Sequence, residues 1–118
     1  MDEQNGKKTD KLGLEEIVKL ANKIGLEYVA AKREAEYLDL MKSPIKAKIA
    51  LRIDDGSLSE TKLKRLTDSD PEYLEYLVKL SDAKQNAEKL RIRYESYKNL
   101  FDARRSLLSY QKEEMKLL

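Results

Sequence analysis

Four groups of residues in this chain have types and spacings that bear on chemistry. Ser59-Glu60-Thr61-Lys62 spells a Ser-x-x-Lys string, in which a lysine can activate a serine nucleophile. The string is common by chance, and its partner motifs are missing here. Asp54-Asp55-Gly56 sets two carboxylates before a glycine but lacks the alternating oxygen ligands of a calcium loop. Lys42, Lys46, Lys48, Arg52, Lys62, Lys64 and Arg65 form a run of cations of the kind that contacts phosphates. Seven Tyr and one Phe offer rings on which bases can stack. Against these stand the absences. The chain has no Cys and no His. Thiolate and imidazole catalysis, disulfides and the usual zinc ligands are therefore excluded. Four scattered Gly build no phosphate loop. The chain is read as a non-enzyme with no catalytic residues, no cofactor and no metal.

The elements that position these groups are helical. The 118 residues are 39% charged and 41% hydrophobic, so enough apolar material is present for a core. Four Gly and two Pro supply too few turns for a many-stranded sandwich or barrel. Residues 1–12 are polar and aperiodic, which predicts a flexible tail ahead of one helical-hairpin domain over 13–118. The N-terminus has no apolar signal core and no run is long enough to span a bilayer, so the expectation is a cytoplasmic protein with no membrane contact.

From Leu14 to Ile53 one stripe recurs: Leu14, Ile17, Ala21, Ile24, Tyr28, Ala31, Ala35 and Leu38, spaced alternately 3 and 4. That is a heptad seam. Gly25 weakens the helix by roughly 1 kcal/mol relative to Ala. Ser43-Pro44 predicts a kink or a restart, because Pro lacks the donor N–H and crowds the preceding turn. Asp54-Asp55-Gly56 ends the helix. Ser57 with Glu60 fits a capping box for a short linking helix near 58–66. Asp70-Pro71-Glu72 then starts a second long helix running to about Lys116. Its seam is Tyr73, Tyr76, Leu80, Ala83, Ala87, Leu90, Tyr94, Tyr97, Phe101, Arg104, Leu108, Gln111 and Met115.

Two long helices with a compact link predict an all-α antiparallel hairpin. The charge order agrees. Residues 42–66 carry seven Lys/Arg against three Asp/Glu, and residues 67–88 carry two against six. An antiparallel pair lays these blocks side by side. Apolar residues also fall off the seams, including Leu77, Ile92, Leu100 and Leu107 on the second helix. A hairpin alone cannot cover them, which predicts a homo-oligomer with those four at its interface. Most Tyr lie on the seams and read as packed rings; Tyr37 and Tyr110 lie off them.

The seven cations admit two readings. One is a phosphate-contacting patch at the hairpin tip, multiplied by oligomerisation. The other is pairing with Asp68, Asp70, Glu72 and Glu75 on the facing helix.

The order of parts resembles phage recombination mediators of the UvsY type. Ile45-Lys46-Ala47-Lys48-Ile49-Ala50-Leu51-Arg52-Ile53-Asp54-Asp55-Gly56 stands where that family has its basic helix end. Leu66-Thr67-Asp68-Ser69-Asp70-Pro71-Glu72-Tyr73-Leu74 stands at the family's Ser/Asp start to its long helix. The resemblance covers roughly residues 20–115. Of the family's Lys-x-Arg pair, Arg52 matches the Arg; Ala50 takes the Lys place, with Lys48 two residues earlier. The resemblance implies an oligomer that binds single-stranded DNA, contacts a recombinase and a single-strand-binding protein, and helps the recombinase load. The alternative is a helical-hairpin scaffold or assembly protein with no nucleic-acid role.

Overall fold

In a computed structural model, residues 13–117 are described, and they form three helices: α1 (Leu14–Ile53), α2 (Glu60–Asp68) and α3 (Pro71–Leu117). The tail expected over 1–12 lies outside the described residues. No strand occurs among them, and no helix is long and apolar enough to cross a membrane. Contacts divide the chain into two compact units, Met1–Tyr28 with Lys89–Leu118, and Val29–Glu88.

In the unit Val29–Glu88 the seams predicted from spacing are the ones buried. Ala31, Ala35, Leu38 and Ile49 of α1 pack with Tyr73, Leu80 and Ala87 of α3. The two helices run antiparallel. Asp39 of α1 pairs with Lys84 of α3, and Arg52, thirteen residues further along α1, pairs with Asp70. The Tyr76 hydroxyl donates to the Leu38 carbonyl, a further tie between the two helices.

In the other unit Ile17 and Ile24 of α1 are the buried anchors. Gly25 has a local reason. A Cβ added there would stand 3.2 Å from Cε2 of the Tyr94 ring. The glycine that costs helix propensity thus gives a bulky partner on α3 room to lie flat.

Of the kink or restart expected at Ser43-Pro44, the restart is absent: α1 runs through Pro44 as one helix. Proline there deprives the Leu40 carbonyl of its donor. Leu40 is 75% exposed and Pro44 is exposed too, so water can serve that carbonyl.

The link is built from side chains that accept backbone N–H groups. The Asp54 carboxylate accepts from Gly56 N at 3.0 Å, and Asp55 accepts from Ser57 N at 2.8 Å and from its hydroxyl at 2.6 Å. Gly56 has φ +86°, a conformation glycine adopts without strain. This arrangement corrects the predicted capping box. Asp55 holds Ser57, and the N-cap of α2 is Ser59, whose hydroxyl accepts from Lys62 N at 3.2 Å. The helix accordingly begins at Glu60 and ends at Asp68, two residues later than predicted. Asp70 caps α3 as expected: its carboxylate accepts from Glu72 N at 3.0 Å and its carbonyl from Leu74 N at 3.0 Å.

Gly25 and Tyr94 are energetically coupled. Gly25→Ala in a Tyr94→Leu background should gain about 1 kcal/mol from propensity. The same change with Tyr94 present should gain clearly less, because the ring must give way. Urea unfolding of the four chains measures the difference, and equal gains in both backgrounds would contradict the contact.

Candidate nucleic-acid interface

The unit Val29–Glu88 brings together all seven predicted cations. Lys42, Lys46, Lys48 and Arg52 come from the last three turns of α1, and Lys62, Lys64 and Arg65 from α2. The heptad places Ile45 and Ile49 inward, so Lys46 and Arg52 fall on opposite edges of the packed stripe.

Those two edges are both committed. Lys46 Nζ lies 2.8 Å from Asp68 Oδ1 and 5.5 Å from the centre of the Tyr73 ring. Arg52 Nη2 lies 2.8 Å from Asp70 Oδ2 and 3.4 Å from Glu72 Oε2. The hydrogen bond from Lys46 holds the Asp68 carboxyl below its ordinary value, aided by nearby Lys64. Arg52 does the same for Asp70, and the Glu72 N–H adds to it. Lys46 and Arg52 are raised in turn by these carboxylates. Asp70 therefore has two tasks. It caps α3 with one oxygen and receives Arg52 with the other.

The remaining five differ. Lys42, Lys48, Lys62, Lys64 and Arg65 make no side-chain ion pair among the described residues. Lys42 is half-buried, and the other four are exposed. Between α1 and α2 runs an open groove of about 370 Å³, lined by Ala47, Ala50 and Leu63 together with Lys46, Lys64 and Glu60. The arrangement can attract an anionic chain by charge, and its groove presents apolar surface beside the cations. The Ser59 hydroxyl of the Ser-x-x-Lys string is taken up by the α2 N-cap. Asp54 and Asp55 are engaged in turns, and the described residues contain no cluster of side chains fit to hold a metal ion.

Of the four predicted interface residues, Leu77 belongs to this unit and Ile92, Leu100 and Leu107 to the other. Ile92 and Leu107 are each 52% exposed, while Leu77 and Leu100 are half-buried. Sequence reading missed the Tyr73 ring beneath Lys46. The signal was present, since Lys46 stands one residue past an inward isoleucine and Tyr73 opens the facing seam. The short link across which they meet was the missing constraint.

The ion pairs set an acid dependence. The Asp70 carboxyl is depressed in the folded chain, so its stabilisation is complete above the unfolded value of about 3.9 and is lost as pH falls through the lower folded value. Asp70→Asn keeps a capping oxygen and discards the charge. Between pH 5 and pH 2 the wild-type urea midpoint should fall further than that of Asp70→Asn; parallel declines would show that Asp70 carries no such linkage.

Comparisons with protein-family models, with curated proteins and with solved structures return no match for this chain.

Proposed function

We propose that the chain is a self-associating helical-hairpin accessory protein that binds single-stranded DNA and helps a recombinase load. The observation that supports this reading is the set of five cations on α1 and α2 that form no ion pair with a carboxylate, all in one unit, with Lys64 lining an apolar groove. Cations held on helices contact phosphates without regard to sequence. The resemblance to the mediators supplies the rest: a recombinase and a single-strand-binding protein as partners, an oligomer as the working form, and no nucleotide hydrolysis by the protein itself.

A second reading is a hairpin scaffold with no nucleic-acid role. It is favoured by Lys46 and Arg52, whose charges are answered within the fold. The two readings assign different work to different cations, and that separates them.

Replacing Lys48, Lys62, Lys64 and Arg65 together by Ala should weaken binding to every single-stranded oligonucleotide alike. The log–log salt slope should become shallower by roughly 0.7 for each phosphate that the variant no longer neutralises. Helicity should be retained, because all four side chains are exposed. Lys46→Ala with Arg52→Ala should instead lower thermal stability while changing the salt slope less. A quadruple variant with wild-type affinity and slope would remove the nucleic-acid role and leave the scaffold.

A further inference from the structure

Lys46 and Arg52 are both held by carboxylates, but the two are held differently. Arg52 Nη2 has two acids within reach, Asp70 Oδ2 at 2.8 Å and Glu72 Oε2 at 3.4 Å. Asp70 also caps α3, and its side chain is only 10% exposed. Loss of either acid leaves Arg52 on the other. Among the described residues Lys46 has one carboxylate, Asp68, with Oδ1 at 2.8 Å. The side chains of that pair are 37% and 44% exposed, so water and ions reach both.

The Asp68 carboxylate has no duty at a helix end. Asp68 is the last residue of α2, where the helix dipole disfavours an anion. The C-cap there is Ser69, whose hydroxyl donates to the Arg65 carbonyl at 2.8 Å. The start of α3 is served by Asp70, with Glu72 in its first turn. What Asp68 does face is cationic. Besides Lys46, Lys64 stands near enough to lower the Asp68 carboxyl. Lys46 and Lys64 line the same groove between α1 and α2, together with Thr67.

A carboxylate facing two lysines presents what a phosphate of a bound strand presents, one negative charge and an oxygen that accepts from an ammonium. It is part of the same chain, so it meets Lys46 at a high effective concentration. We propose that Asp68 is an internal competitor of the nucleic-acid backbone, which occupies Lys46, weakens the field of Lys64, and so sets the affinity of this unit for single-stranded DNA below what its cations allow. The inference rests on the nucleic-acid half of the function proposed above and gives it a residue that limits affinity. It also separates the two ion-paired cations. One substitution releases Lys46, whereas Arg52 keeps a carboxylate after any one substitution.

Fluorescence anisotropy of the full chain with a labelled oligothymidylate tests the competition. Asp68→Asn keeps the shape of the side chain and removes its charge. It should raise affinity roughly fourfold at about 0.15 M salt and steepen the log–log salt slope by roughly 0.7, the contribution of one more phosphate contact on a single strand. Most of that gain should disappear in a Lys46→Ala background. Asp70→Asn should gain less, because Glu72 still holds Arg52. Asp82→Asn removes the same charge from an exposed position of α3 in this unit and should leave the slope as it is. A gain that Lys46→Ala does not diminish, or that Asp82→Asn matches, would overturn the proposal, since a general field effect then accounts for it. If the wild type binds and Asp68→Asn lowers the urea midpoint with affinity and slope unchanged, Asp68 only pins the hairpin; this inference falls and the proposed function stands. Binding by Asp68→Asn where the wild type shows none supports the competition. If neither chain binds the strand, this inference and the nucleic-acid role fall together.

Discussion

A pair of helices can bury one stripe from each, and that limit governs this molecule. Buried side chains recur at heptad intervals, Ile17, Ile24, Ala31 and Leu38 on α1 and Tyr73, Leu80 and Ala87 on α3, with Ala35 and Ile49 at the alternate positions of the same stripe. Apolar side chains turned away from that stripe stay largely in water. Leu26, Leu40 and Leu51 are 74%, 75% and 79% exposed for this reason alone. The heptad also fixes which residues can be small. Ala31, Ala35 and Ala87 fill seam positions where the helices meet, and Gly25 goes further to admit a ring.

Closing the hairpin depends on carboxylates used twice. Asp70 holds the first turn of α3 and the guanidinium of Arg52; Asp68, at the end of α2, holds Lys46 against Tyr73. Exposed pairs of this kind contribute little singly, about 0–1 kcal/mol each. Their value here is directional, because they set which edge of α1 meets the α2–α3 junction. The same use removes Lys46 and Arg52 from the charge available to a partner. A cluster of seven cations in sequence is thereby reduced to five without an ion pair.

The seams and the Asp70-Pro71 start of α3 were legible in the sequence because each rests on a local rule with few competitors. Spacing alone separates inward from outward positions, and proline has one favoured place at a helix start. Reading failed where two local rules competed. Ser57 and Ser59 are both capping residues within reach of α2. Asp55 decided between them by taking the Ser57 N–H and hydroxyl for its own turn. At Pro44 the sequence allows a kink or a restart; the restart is absent because on the exposed side of α1 the missing bond costs little. The ion pairs were legible only as blocks of charge. Block arithmetic brings the basic end of α1 to the acidic start of α3, yet it cannot choose Asp68 for Lys46 over Glu72 or Glu75. That choice depends on where the short link sets α2.

The division of the cations bears on how such a protein can hold a long anion. Five charges without an ion pair make a weak site by themselves, because each phosphate contact adds little at physiological salt and counterions compete for it. A self-associating chain escapes that limit without improving any contact. Once one copy is bound, a second copy in the same assembly meets the strand at a high effective concentration, so affinity rises with the number of copies engaged. The composition fits that arrangement. On the proposed function, apolar residues on faces that a hairpin leaves exposed would hold an assembly together while each basic site stays modest, so that release from one site would be easy while the assembly stayed bound.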